Sequence, residues 1–148
     1  MRIRKPLSLL FSLSAFFLLT TGCSKENTVA NTNELIGSWA VVGISSDKAY
    51  DWDNDGSSET DIYRTYTYCQ QDIRLSFDRS GYGQTRQGCN APWETLSWRL
   101  YNNRLDISIP SGDINLYITQ FNGNTITGYD PVQVNGRTYN ITYNLIRQ

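Results

Sequence analysis

The chain has 148 residues, 13 basic and 14 acidic, for a net charge of −1, with no histidine and three cysteines. The missing imidazole excludes triad and histidine acid–base schemes and removes the commonest zinc ligand. Without a basic stripe, nucleic acid is excluded as a partner.

In chain order, Arg2, Arg4 and Lys5 give a positive start. The apolar run Leu7–Leu19 follows, interrupted only by small residues, then Thr20, Thr21, Gly22 and Cys23. As a helix that run spans about 20 Å, short of a bilayer crossing. Its order of charge, apolar run and small residue is that of a secretory signal. The small residue before a cysteine resembles the bacterial lipoprotein signal, although Thr20 stands where that pattern usually has Leu. The resemblance implies a signal peptide over residues 1–22, lipid (palmitate) on Cys23, and an outer-membrane lipoprotein facing the periplasm or the surface. The alternatives are a plainly cleaved signal or an uncleaved anchor helix. Removing residues 1–22 takes the net charge to −4. If Cys23 carries lipid, Cys69 and Cys89 remain, an even number that reads as one disulfide in an exported protein. Such a bridge contributes about 3 kcal/mol in the chain-entropy model. Two unpaired buried thiols are the alternative.

Residues 23–33, lipidated cysteine and polar stretch together, read as a flexible tether. A single domain is expected over 34–148, rich in tyrosine and tryptophan, as β structure favours. The first strand is predicted over 36–46. A polar segment, 47–71, follows, and within it 61–68 fits either a strand or a short helix. Apolar and polar residues then alternate in seven more strands, near 72–78, 81–86, 94–101, 104–109, 113–121, 124–130 and 137–147. Short turns link them, among them the hairpin signal Asn135-Gly136. Short links make antiparallel neighbours, and eight half-apolar strands can close into an up-and-down barrel. An open sandwich or two stacked sheets would satisfy the same alternation.

Gly37-Ser38-Trp39 on the first strand resembles the Gly-x-Trp signature of lipocalins, with Arg147 at the place of the arginine that packs on that tryptophan. The long segment 47–71 is similar to the lipocalin lid loop. The Asp-rich stretch, the cysteine spacing and the ending Tyr143-Asn144-Leu145-Ile146-Arg147 resemble the small lipocalin-like lipoproteins of Bacteroidetes. The resemblance implies an all-β, eight-stranded antiparallel barrel closed by Gly37, Trp39 and Arg147. It also implies a non-enzymatic, membrane-anchored monomer that binds a small hydrophobic ligand or an envelope partner. Leu75, Phe77, Trp98, Leu100, Leu116, Tyr139 and Tyr143 are the expected ligand-lining residues. A barrel this small can instead be filled by its own side chains. A second reading is a barrel lipoprotein that inhibits a hydrolase by protein–protein contact, which Ser80-Gly81-Tyr82 faintly resembles.

Asp51, Asp53 and Asp55, followed by Gly56, Glu59 and Asp61, resemble the first half of an EF-hand calcium loop. The twelfth position holds Ile62, and Asp61 falls one residue short. Calcium on these five acids and a solvated loop held by Asx turns are the two readings.

Overall fold

The computed structural model describes residues 30–148. The signal and Cys23 therefore lie outside the described residues, as does the tether up to residue 29. Nine strands and two short helices form one antiparallel sheet: α1 (Thr32–Leu35), β1 (Gly37–Tyr50), β2 (Glu59–Asp61), α2 (Ile62–Thr65), β3 (Ile73–Phe77), β4 (Tyr82–Gln87), β5 (Glu94–Tyr101), β6 (Arg104–Ile109), β7 (Gly112–Phe121), β8 (Thr125–Val134) and β9 (Arg137–Arg147). From β3 to β9 each strand pairs with the next, and β1 pairs with both β3 and β9. Eight strands thus close into an up-and-down barrel, and β2 is a short appendage to β1. Closure leaves no long free edge, which an open sandwich would have done.

The barrel wraps a core in which Trp39, Leu35, Leu105 and Ile126 are wholly buried. Inward parity follows the sequence alternation except at two bulges. In β1, Val41 pairs with Leu145 but Gly43 pairs with Asn144, so Val42 is the extra residue and turns outward. The shift turns Ile44 and Ser46 inward. A similar shift between Ile118 and Gln120 brings Phe121 into the core.

Three boundaries differ from expectation. The first strand runs on to Tyr50 because β9 holds it: the Asp47 carboxylate accepts the Asn140 amide at 2.9 Å, and Lys48 Nζ donates to the Thr138 carbonyl. The segment 47–71 is therefore a turn, a returning strand and α2, rather than one loop. The strand predicted over 124–130 extends through Pro131 to Val134, because the turn at Asn135-Gly136, both at positive φ, lets the strands pair up to the hairpin. The tether's last residues join the barrel: Ala30 is buried, and Asn31 caps α1.

At the closed end, Arg147 ties the termini together. Its guanidinium lies 4.4 Å over the Trp39 ring and donates to the carbonyls of Gly123, Ile36 and Glu34. Trp39 Nε1 donates to the Leu35 carbonyl at 2.8 Å. Gly37 has φ +129°, and a Cβ there would stand 2.6 Å from Arg147 Nη1. The Gly-x-Trp spacing thus has a mechanical reason: the glycine leaves room for the guanidinium, and the tryptophan is the surface it rests on. A lysine at 147 keeps the charge but cannot serve three diverging carbonyls. Urea unfolding of Arg147→Lys is expected to show a loss of about 2–3 kcal/mol. Gly37→Ala should lose stability too, and much less so on an Arg147→Lys background, because both changes act on one contact.

Candidate functional site

The opposite end of the barrel holds a cavity of about 410 Å³. Val41, Leu75, Ile107, Leu116 and Leu145 form its apolar depth, and Ile73, Ala91, Pro92 and Ile109 line it nearer the mouth. This is the size range of small-molecule pockets, which are lined mainly by apolar side chains.

Of the seven expected lining residues, Leu75, Leu116 and Tyr143 face this cavity. Phe77, Trp98, Leu100 and Tyr139 do not. The first three sit toward the closed end, where Phe77 packs 5.2 Å from Trp98 and Leu100 pairs with Leu105. Trp98 Nε1 is held by the carbonyls of Asp78 and Tyr82. Tyr139 lies on the β9 side in an aromatic cluster, 5.6 Å from Tyr50 and 5.4 Å from Trp52. Inward parity is shared by all seven, but only height along the barrel decides which of them meet the empty space.

The mouth is braced. Cys69 and Cys89 form a disulfide with a Cα–Cα distance of 4.9 Å. It ties the loop before β3 to the loop after β4, which carries Ala91 and Pro92. Asp72 bridges Arg74 at 2.7 Å and Arg86 at 2.9 Å. The hydrogen bond from Arg74, aided by the Arg86 charge, holds the Asp72 carboxyl below its usual range. Arg86 also lies 5.0 Å from the Trp93 ring centroid. On the other side, β3 covers only Gly37–Ala40 of β1. There α2 packs on the uncovered stretch, and the Tyr63 hydroxyl donates to the Val41 and Gln71 carbonyls. Tyr66, just past α2, reaches the cavity.

The cavity's polar lining comes from Tyr66, Thr85, Arg86, Gln87, Glu94, Ser111 and Tyr143. Tyr143 is pushed up to about 12, first by burial and then by the neighbouring Asp130 and Tyr66. Asp130 is 8% exposed, and burial raises its pKa against the opposing amide of Asn115. Tyr66, Thr85 and Ile44 line the cavity outside the expected set, and Asp130 is a buried inward acid near it. Asp130 was legible, since it continues the inward series Ile126, Gly128. Ile44 was hidden by the bulge, and nothing local marks Tyr66.

In the acidic loop, Asp51, Asp53, Asp55 and Glu59 bring one carboxylate oxygen each to within 4.8 Å of one another. Asp61 is not among them; it caps α2 by accepting the Arg64 amide. Ile62, at the twelfth position, is buried against the core. The four gathered carboxylates are also engaged by backbone: Asp51 accepts from Asp55 and Gly56, Asp53 from Asp55, Asp55 from Ser57, and Glu59 from Trp52. These amides stabilise the turn, and the loop lacks the bidentate acid of a full calcium loop. Ser80-Gly81-Tyr82 is a tight turn, with the Ser80 amide and hydroxyl both bonded to Asp78.

Two outcomes follow from these geometries. Calcium titration by calorimetry is expected to show binding no tighter than about 0.1 mM, the range of extracellular modules; micromolar affinity would require ligands that this loop does not bring together. Asp130 has a folded pKa above its unfolded one, so it favours the fold below about pH 3.9 and costs stability as pH rises through the folded value. Asp130→Asn is therefore expected to melt higher than the parent at pH 7, with the gain vanishing toward pH 3.

No protein-family model matches the chain, and no curated protein matches it significantly. Among solved structures, an odorant binding protein, OBP1, superposes with a TM-score of 0.51 at 11% identity, covering 82% of this chain and 77% of that one. Bovine odorant binding protein with a selenium-containing odorant gives 0.46 at 14% identity, covering 83% and 76%. The same protein with its natural ligand gives 0.46 at 14%, covering 83% and 77%. At 11% identity the first likeness is one of fold, and with the closed eight-strand meander it makes this a lipocalin-like barrel.

Proposed function

We propose that the chain is a membrane-tethered, non-enzymatic binding module that holds a small apolar molecule inside its barrel. One observation carries this reading: the core does not fill the barrel, and the space left is lined by side chains such as Val41, Ile107 and Leu116. An apolar cavity with an open mouth binds greasy molecules because their transfer from water is favourable, at about 25 cal/mol per Å² buried. The mouth is held by a disulfide and a two-arginine clamp, which preorganises it and lowers the ordering cost of binding. The tether belongs to the reading through the sequence of residues 1–23. An acylated Cys23 would hold the barrel at a membrane, where apolar molecules concentrate.

The test is uptake of a neutral fluorescent probe, N-phenyl-1-naphthylamine. Saturable enhancement is expected with the parent protein. Leu116→Trp and Ile107→Trp, which fill the space from two strands, should abolish it while the melting transition stays cooperative. A parent barrel that takes up no probe would overturn the reading. Native mass spectrometry of the full chain from its envelope is expected to show acyl mass on Cys23 and a co-purified small molecule.

A further inference from the structure

Two hydroxyls on the cavity wall have no task in the fold. Tyr143 turns inward from β9, paired with Ile44 of β1 on one side and Gly128 of β8 on the other. Gly128 sets no side chain against the tyrosine, and a Cβ there would stand 2.8 Å from the Leu116 side chain. Tyr66 reaches the same stretch of β1 from its other flank, because α2 packs where β3 leaves β1 uncovered beyond Ala40. Both tyrosines line the cavity together with Ile44, and both are half-buried. They lie close enough for Tyr66 to act on the ionisation of Tyr143. Among the described residues no group bonds to either hydroxyl. The hydroxyl of the neighbouring Tyr63, by contrast, is spent on the Val41 and Gln71 carbonyls.

The rest of the polar lining is committed or stands at the rim. Thr85 Oγ1 donates to the Arg74 carbonyl at 3.0 Å. Arg86 bonds to Asp72 and lies against the Trp93 ring, and its Nε is enclosed by protein. Gln87 ends β4, Glu94 begins β5 and Ser111 sits in the β6–β7 turn, all three exposed around the mouth. A charged head at that rim keeps its water and gains little from a solvated partner such as Glu94. Below the rim it would lose its water and meet no uncommitted counter-ion on the wall. Asp130 is buried near Tyr143 but does not border the space. The two tyrosines are therefore the handles left to a ligand inside. Burial raises the pKa of both, so each has a proton to donate at neutral pH.

We infer that the cavity takes a neutral apolar molecule bearing a ketone or ester carbonyl, whose oxygen accepts from the Tyr143 and Tyr66 hydroxyls while its body rests on Val41, Ile107 and Leu116. This rests on the cavity reading and specifies its ligand class. A carbonyl oxygen has two lone pairs and carries no charge, so it matches two neutral donors. An apolar pocket with a few converging polar groups fixes the orientation of what it holds.

The experiment is displacement of N-phenyl-1-naphthylamine at pH 7 by four compounds that share one body: naphthalene, 2-acetylnaphthalene, 2-naphthoate and 2-naphthylmethylamine. Each displacement is corrected for the affinity of the same protein for the probe. In the parent protein the ketone is expected to displace the probe at about tenfold lower concentration than the carboxylate or the ammonium. Tyr143→Phe and Tyr66→Phe keep the rings and remove one donor each. Each should cut the advantage of the ketone over naphthalene by about three- to fivefold. If the probe binds and naphthalene competes, but both variants keep the parent ratio of ketone to naphthalene, the inference fails and the apolar cavity stands. It also fails if the carboxylate or the ammonium matches the ketone in the parent protein. If the probe does not bind at all, both readings fall.

Discussion

The contact on which the rest of this barrel depends is the guanidinium of Arg147 lying on Trp39 beneath a glycine. A meander of eight strands has two ends, and its chain termini could fray apart. Arg147 is the last residue of β9, Trp39 is the third of β1, and the two are paired partners across the closing seam. The same guanidinium reaches carbonyls before β1 and in the β7–β8 turn. One side chain thus joins three segments far apart in sequence. It rests on a buried ring: Trp39 is fully buried and donates its own N–H to the Leu35 carbonyl. Losing the guanidinium leaves the part-buried Gly123 and Ile36 carbonyls without their donor, the costly direction of a hydrogen-bond deletion.

Plugging one end with aromatic rings has a consequence at the other. Trp39, Phe77, Trp98 and Phe121 concentrate volume in the lower barrel. The upper barrel is lined by aliphatic residues, with Thr85, Arg86, Glu94 and Tyr143 among its polar members, and a gap is left. The loops there cannot fill that gap, because they are tied to one another. The disulfide joins two of them, and the Gly88 amide bonds to the Asp72 carbonyl across the same junction. A mouth braced from outside stays open without side chains packed through it. Stability is gathered at one end and access is left at the other.

The strands were legible because their alternation is nearly unbroken from Ile73 to Leu145, and short turns left antiparallel neighbours as the simplest arrangement. Closure was legible through Gly37, Trp39 and Arg147, whose spacing has meaning only if β1 and β9 meet. The bulge at Val42 was not. Nothing in Val41-Val42-Gly43-Ile44 says which valine is extra, and the answer sets whether Ile44 lines the cavity. The depth of each inward residue was equally hidden. Leu75 and Phe77 have the same parity on the same strand, yet one borders the space and the other packs the plug. The acidic loop divided in a similar way: the spacing brought four of five acids together, but Asp61 served the nearer demand of an unsatisfied helix amide.

An interior acid is informative because the fold did not require it. β8 alternates Ile126, Gly128 and Asp130 inward, and an apolar residue at the third place would have matched Ile141 across the seam and relieved the desolvation cost. Asp72 and Asp106 pair with arginines and Asp51 serves a surface turn, whereas Glu94 lines the cavity. Strand physics places residue 130 inside, burial penalises its charge, and the side chains around it hold no counter-ion. Inward parity on β8 thus sets an acid beside the cavity-lining Leu116 at the expense of its charged form, so this strand adds to the interior without adding apolar contact at that position.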